Sequence, residues 1–579
     1  MSDDPWKDLT KMRLPPIIEL DSRSGMMSDL STRDITDTIR MGMTFGRSIT
    51  ASSVKKKLRQ RGYDPITIAA VVAAIKDGRE YDGILMAAEQ AAATRARNDE
   101  LRRNPTPIHG GAHWATSEHL AHANLLEPDI PDVGPGLWLG TTHDSSSVYW
   151  QGESHLLTVA PTRTGKGTMQ IIPNLLRYQG SAVVLDPKGE LAAATAAWRE
   201  AHIGPVHILN PFGLPAFGGK TAAFNPLDQV TDAPSALKLA EMIYPRTDDD
   251  RQRFFDNEAI GFLSAVLEFT ACFAPTEYRT FGTIRDTVST LNEDFYRLLH
   301  AMTDPRLPPA VRNGAQNVLT KTSDVGQPRL IDSLSQHLRM WDTPGLRAAT
   351  ARSDFTFQQL KDEPTTVYLV LPFDELSTYG TFVRMVFACA LDAMLTNPRQ
   401  PDTPVLFVLD EFLGLDADDR FVSALRTHAS AGARLWFFLQ DLPTLEQKYP
   451  TTWKSFLQAE VKTFFGTDDP HTAKLISDYL GDTTVAYDQP SVSPAVSGGA
   501  ASYSIGDTVQ LTGRRLLKPE EVINQLAATD LAQPRQAIHF LRGVPPVQAK
   551  LHPWFTDPVA VARQQTGKGA THGHQPKGL

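Results

Sequence analysis

The stretch HLLTVAPTRTGKGTMQIIPNLL, residues 155–176, constrains the fold more than any other part of the chain. An apolar run ends at Ala160, a short loop carries Gly165-Lys166, and a helical pattern follows. Strand, loop and helix in this order suit a phosphate-binding loop. Backbone N–H groups of the loop and the helix N-terminus wrap the anion, and the lysine ammonium reaches its terminal oxygens. The match to G-x-x-x-x-G-K-S/T is incomplete. Ala160 stands at the first glycine, and Gly167 stands where Ser or Thr would supply a magnesium hydroxyl. Thr168 lies one place later and Thr164 within the loop, so either hydroxyl could reach the metal. The candidate nucleotide-binding residues are Thr162, Arg163, Thr164, Gly165, Lys166, Gly167 and Thr168, with Thr168 also a candidate metal ligand. TGKG recurs at Thr566–Gly569, with no strand before it and no helix after it, and that copy is read as chance.

Such a loop needs a sheet to hold it, and the flanking pattern supplies one. HLLTVA, SAVVLD and PVHILN are short apolar runs alternating with helical stretches, the signature of buried parallel strands in a doubly wound sheet. Strand character fades over 235–350, where DNEAIGFLSAVLEFTACF and PPAVRNGAQNVLTKTS read as helices. It resumes at TTVYLVLP, PVLFVLDEF, ARLWFFLQ, VKTFFG and AIHFL. The expected organisation is a helical N-terminal region (1–105), a nucleotide-binding α/β domain in two parts (106–234 and 351–556), an all-helical insertion between them (235–350), and a disordered tail (557–579). Within it, 104–136 reads as a Gly-, Pro- and His-rich connector, and the Ser-, Gly- and Pro-rich 489–507 as a mobile loop.

Two further strand ends carry chemistry. Val405–Leu409 ends in Asp410-Glu411, and a buried strand ending in two carboxylates is costly unless they have work. In phosphate-loop ATPases the first acid holds magnesium and the second polarises the attacking water. ARLWFFLQ ends in Gln440, whose amide can donate to a phosphate oxygen. Arg434 and Arg426 are candidate arginine fingers, offered to a neighbouring subunit to stabilise transition-state charge.

Composition bounds the rest. At 579 residues, 41% hydrophobic and 21% charged, the chain suits a large globular protein of several domains. A net charge of −9 disfavours a passive nucleic-acid coat but permits a local basic channel. Lys55, Lys56, Lys57, Arg59 and Arg61 form a short basic cluster, a solvated helix face or a nucleic-acid contact. Cys272 and Cys389 sit in apolar helical stretches without a pairing pattern, so reduced thiols are expected. The polar opening MSDDPWKDLT is no signal peptide, and the apolar stretch ITIAAVVAAI near residue 70 is too short to span a membrane. A soluble, cytoplasmic protein is expected.

Taken together, these motifs resemble the type IV secretion coupling protein family, the TraG/TraD kind of conjugative ATPase. APTRTGKGTMQIIPNLL, with glycine after the lysine, is similar to that family's phosphate loop. VVLDPKGEL, NPFG, FNPLD, LDEFLGL, RLWFFLQDLPTLEQKY, FFGTDDPHTAKLISDYLG and GRRLLKPEEV follow in the family's order, and HGGAHWATSEHL precedes the core as it does there. The resemblance covers roughly residues 108–555.

It implies a RecA-like ATPase binding ATP and Mg2+ at the interfaces of a homo-hexamer, either pre-formed or induced by substrate. Lys166, Thr168, Asp410, Glu411 and Gln440 carry over as nucleotide-site residues, and Asp186 as a strand-end acid. It further implies DNA, relaxase-type or effector protein cargo, and channel proteins as partners. Most members begin with transmembrane helices, whereas residues 1 to about 105 read as soluble. A cytoplasmic protein, peripheral at the inner face of the membrane, is the corresponding expectation. Rival readings are a nucleotide-binding docking adaptor with little turnover and a DNA pump of the same superfamily.

Overall fold

The computed structural model describes residues 51–569 apart from 61–62, 64, 77–80, 127–135, 218–220, 245–249, 322–324, 416, 498–499 and 528–529. Expectations for residues 1–50, for Arg61 and for the chain beyond 569 lie outside the described residues. The chain forms two compact units, one joining the segment up to Gly111 to Asp482–Arg514, the other holding Ala112–Gly481 and the chain from Arg515. In chain order the strands are β1 (Leu137–Thr141), β2 (Ser147–Trp150), β3 (Leu156–Val159), β4 (Ala182–Asp186), β5 (Val206–Leu209) and β6 (Thr366–Val370). β7 (Val405–Leu409), β8 (Ala433–Leu439), β9 (Val461–Phe464), β10 (Asp482–Ser497), β11 (Ala500–Arg515), β12 (Arg535–Leu541) and β13 (Val547–Leu551) follow.

The first unit contains helices α1 (Ala51–Gln60), α2 (Pro65–Lys76) and α3 (Tyr81–Arg103). Val54 and Leu58, one helical turn apart on α1, bury against Ile68, Val71 and Ala74 of α2, so the apolar run near residue 70 is a packed helix. Lys55, Lys56 and Arg59 remain exposed. β10 and β11 pair as a separate two-stranded sheet, where the sequence predicts a mobile loop over 489–507. Thr483, Thr484, Val485 and Tyr487 on one arm and Thr508, Val509, Leu511 and Thr512 on the other are strand formers, and they outweigh the Ser, Gly and Pro between them. Arg102 of α3 grips this hairpin through Asp488, with Nε at 3.1 Å and Nη2 at 2.8 Å from Oδ1. The His109 N–H adds a hydrogen bond to Thr484 Oγ1 at 3.0 Å.

The second unit is built on an 11-stranded sheet in the order β2-β1-β13-β12-β9-β3-β8-β7-β4-β6-β5. Strands from β9 to β5 run parallel, and β12, β13, β1 and β2 extend the sheet antiparallel. This is the RecA-like α/β architecture. β3, β4, β6, β7 and β8 are buried along their whole length, which is why they read as continuous apolar runs. β1 and β2 went unmarked in sequence because their polar and glycine positions break the run, and Gly140 sits at a register shift.

Between β5 and β6 the described chain holds no strand. Helices Ala233–Ile243, Asp250–Cys272, Phe281–Val288, Glu293–Met302, Pro309–Leu319 and Gly326–Leu338 occupy it. Asp232, Thr280 and Asn292 cap three of them by accepting backbone N–H bonds. Their buried residues, among them Leu263, Phe295 and Leu334, join the same apolar cluster as Leu369 and Phe407 of the sheet.

Two other helices bear on the sequence reading. Phe373–Thr396 is the one helix among the described residues long and apolar enough to cross a membrane by composition. Its core, α6 (Leu376–Thr396), lies buried in the protein interior, including Phe382, Val386, Phe387 and Cys389. Pro558–Gly569 forms a helix, not a disordered tail. Arg563 donates to the Leu176 carbonyl at 2.7 Å and lies over Trp198 at 5.3 Å, and Asp557 pairs with Arg177 at 2.5 Å. These polar anchors hold a segment too weakly apolar to be recognised by pattern. The second TGKG copy falls at the end of this helix.

Candidate nucleotide site

Three strand ends meet at one edge of the parallel sheet. β8 lies between β3 and β7, so Gln440 leaves the sheet between the phosphate loop and Asp410-Glu411. β3 stays in register with β8 through its end, with the Ala160 N–H donating to the Leu439 carbonyl at 3.0 Å. The loop then turns through two left-handed residues, Arg163 at φ 60° and Gly165 at φ 94°. A Cβ on Gly165 would meet Met169 Cγ and Sδ and Thr168 Oγ1 at 3.1 Å. Glycine is needed there because both the backbone angle and the close approach of the helix demand it.

The helix begins at Lys166 with a π-wound turn over Lys166–Ile171, the Ile172 N–H donating to the Gly167 carbonyl, and continues as α4 (Ile172–Arg177). A polar network beneath supports this turn. Trp436 Nε1 donates to Thr158 Oγ1 at 3.0 Å, and Thr158 Oγ1 donates to Gln170 Oε1 at 3.1 Å. Ala160 and Met169 pack with Phe465, Ala537 and Leu551 as an apolar floor. Alanine at the first glycine position is thus a core residue. Neither the network nor the floor was visible in sequence, because their members lie on strands far apart in the chain.

Lys166 is buried, and its Nζ donates to the Ala160 carbonyl at 3.0 Å and lies 3.9 Å from Glu411 Oε1. Thr164 is buried with its hydroxyl on the Pro161 carbonyl at 2.6 Å. Thr168 is half-buried, its hydroxyl 3.3 Å from the Gly165 carbonyl. Thr162 and Arg163 are exposed.

Asp410 and Glu411 follow β7. One carboxylate oxygen of Asp410, Oδ1, is fully buried without a hydrogen-bond partner. Burial, then the neighbouring Glu411 charge, push the Asp410 carboxyl up to about 7, against the pull of Lys166. Glu411 takes a left-handed backbone, φ 53° and ψ 35°, a conformation costing a side chain-bearing residue about 1–2 kcal/mol. Gln440 Nε2 donates to Glu411 Oε2 at 2.9 Å. Lys166, Glu411 and Gln440 are thus one connected set.

The donor chemistry fits a magnesium–nucleotide pair. The buried Asp410 oxygen without a partner and the Thr168 hydroxyl are both hard oxygen donors. No cluster of three or more His, Cys, Asp or Glu that could cage a metal occurs among the described residues. A site of one or two protein ligands completed by water and phosphate is the way magnesium is commonly held.

Two sequence-predicted residues have other uses. Asp186, at the end of β4, accepts the Ala192 N–H at 2.8 Å and so ties down the start of α5 (Glu190–His202). Burial pushes its carboxyl up to about 6, against hydrogen bonds from the Ala192, Leu191 and Gly189 backbone. Arg434 is fully buried at the opposite end of β8 from Gln440. It donates to the Gly152 carbonyl and, at 3.3 Å, to the Tyr178 hydroxyl, and lies over Trp150 at 4.9 Å. A side chain enclosed in this way has no route to a neighbouring subunit, so the finger assignment fails. Arg426 is exposed at the end of α7 (Asp419–Thr427), reaching Ser455 Oγ at 3.3 Å.

Comparison with known proteins bears on the family and the fold. The family model described as Type IV secretory system Conjugative DNA transfer matches residues 111–577. Protein VirD4 of Rhizobium radiobacter is 27% identical over 467 residues, 78% of this chain and 64% of that protein. The chain therefore spans under two thirds of the length of that relative. Conjugal transfer protein TraG of Escherichia coli is 24% identical, covering 79% of this chain and 78% of that protein. Among solved structures, the bacterial conjugative coupling protein TrwBdeltaN70 shares the fold, with a TM-score of 0.55 at 16% identity over 76% of this chain and 94% of that one. Plasmid coupling protein TrwB in complex with ADP and Mg2+ matches with a TM-score of 0.54 at 16% identity, over 77% of this chain and 94% of that one. With the family model matching most of its length, the chain belongs to the type IV secretory system conjugative DNA transfer family.

Proposed function

We propose that this chain is an ATP-hydrolysing coupling protein that recruits DNA, alone or with bound protein, and drives it towards a type IV secretion channel. The observation that carries the reading is the convergence of Lys166, Asp410-Glu411 and Gln440 at adjoining strand ends. The ADP and Mg2+ held by TrwB support it. We assign a homo-hexameric assembly at the cytoplasmic face of the membrane, docked through channel proteins, with the helices between β5 and β6 as an inserted domain that meets cargo.

Backbone N–H groups of Thr162–Thr168 would cradle the phosphates, and Lys166 would release the Ala160 carbonyl to bind their terminal oxygens. Asp410 and Thr168 would hold the magnesium ion. Bound there, Mg2+ neutralises phosphate charge in the transition state. Glu411 orients the attacking water and takes its proton, a role worth typically 10²–10⁴-fold in rate. Gln440 holds Glu411 and senses the terminal phosphate. The exposed Arg426 is the remaining candidate for a finger acting on the next subunit.

Lys166→Ala and Glu411→Gln separate binding from chemistry. The lysine variant should lose both nucleotide binding and hydrolysis. The glutamate variant should bind as the parent does and hydrolyse at least about a hundredfold more slowly. Parent-like hydrolysis by Lys166→Ala contradicts the site assignment.

A further inference from the structure

The parallel pairing of β9 with β3 brings a second turn against the phosphate loop. Phe464 stands beside Val159, and the Phe465 N–H donates to the Val159 carbonyl at 3.4 Å. Gly466 follows with φ 65°. A Cβ on Gly466 would come within 2.5 Å of Thr164 Cγ2 and 2.8 Å of Thr164 Cβ. The turn after β9 is therefore seated directly on a phosphate-loop side chain, and only glycine permits both its backbone and that approach. The next residue, Thr467, is 2% exposed, and its hydroxyl is buried without a hydrogen-bond partner. A buried hydroxyl left unpaired is costly and calls for an explanation. Asp410 Oδ1 is likewise buried and unpartnered, and it leaves the sheet from β7, on the other side of β3 from β9.

We propose that Gly466-Thr467 is a positioning element for the phosphate loop, and that the Thr467 hydroxyl gains its hydrogen bond in the nucleotide-bound arrangement of that loop. The inference rests on the nucleotide-site reading above and adds a third wall to it. Thr467 acts through the loop, so its removal weakens nucleotide affinity and leaves the chemistry of Glu411 in place.

Nucleotide affinity and steady-state ATP hydrolysis of the full chain test this, with thermal melting of each variant as a control on folding. Thr467→Val, which keeps the shape and removes the hydroxyl, should weaken binding and raise KM about three- to tenfold, the size of one hydrogen bond. Its kcat should stay within about twofold of the parent, because Glu411 and Gln440 are untouched. Thr467→Ser restores the hydroxyl and should bind nearly as the parent does. Thr467→Ala carries the same expectation as the valine variant should the latter fail to fold. Gly466→Ala, which forces Thr164 to move, should weaken binding at least as much. Parent-like affinity in Thr467→Val, or a serine variant as weak as the valine one, overturns the inference while the nucleotide site stands. A parent chain that binds no nucleotide, behaving as Lys166→Ala does, overturns the site reading and this inference with it.

Discussion

Replacing Arg434 by methionine separates a cation that holds the fold from one that acts on a neighbouring subunit. The guanidinium is fully buried and donates hydrogen bonds to the Gly152 carbonyl and the Tyr178 hydroxyl. Hydrogen bonds from a charged donor contribute about 1.5–3 kcal/mol each. Its position over Trp150, with Tyr178 at 5.8 Å, adds about 1–2 kcal/mol for a desolvated cation on a ring. Removing the buried charge relieves its desolvation, and methionine refills part of the volume, so these terms are offset substantially. A net loss of about 2–4 kcal/mol remains, which in a unit of this size corresponds to a fall in Tm on the order of 2–5 °C. Calorimetry or fluorescence melting reads that fall, and ATP hydrolysis measured well below the transition reads the activity of the folded chain. We expect a lowered Tm with kcat within about twofold of the parent. An unchanged Tm with nucleotide binding intact and hydrolysis abolished would refute the structural reading and return Arg434 to the role of a finger.

Gln440→Ala frees the Glu411 carboxylate from its 2.9 Å bond and should lower hydrolysis about ten- to hundredfold while leaving nucleotide affinity near the parent value, as kinetics and a binding titration would show. Arg563→Ala removes the bond to the Leu176 carbonyl and the stack on Trp198, and should destabilise the chain by about 2 kcal/mol, with faster hydrogen exchange over Pro558–Gly569. An unstructured tail would show neither effect. His539 is fully buried, and burial pushes its imidazole down to about 4 from an ordinary 6.5. Above pH 6.5 both folded and unfolded chains leave it neutral. Between 6.5 and 4 the unfolded chain binds a proton that the folded chain refuses, so stability falls with pH by about 1.4 kcal/mol per unit, to about 3 kcal/mol in all. Urea midpoints across that range should fall more steeply for the parent than for His539→Gln, and equal slopes would contradict the shift.

What the sequence made legible was whatever a single local run could encode. β3, β4, β7 and β8 are buried along their length, so they read as mainly apolar runs, and the polar residue following β7 and β8 stood out as an anomaly. Asp410, Glu411 and Gln440 were singled out as candidates in that way, and Lys166 by the Gly-Lys pair in the loop after β3. Arg434 was misread because its partners, Trp150, Tyr178 and Gly152, come from other parts of the chain, and only the fold brings them round it. Asp186 ends its strand as Asp410 does, yet the turn after it closes at once into α5 and uses the carboxylate as a helix anchor. Thr467 had no signal, because its place beside the phosphate loop depends on β9 lying next to β3. The β10–β11 hairpin was obscured by its composition, and the helix Pro558–Gly569 by a lack of apolar periodicity.

The most direct measurement is steady-state ATP hydrolysis by the purified chain, with and without single- and double-stranded DNA, alongside Lys166→Ala. A motor that acts on DNA should hydrolyse ATP, do so several-fold faster when DNA is present, and lose both basal and stimulated rates in the lysine variant. Hydrolysis indifferent to either form of DNA would contradict a DNA-driven motor. No hydrolysis under any of these conditions would contradict the ATPase itself.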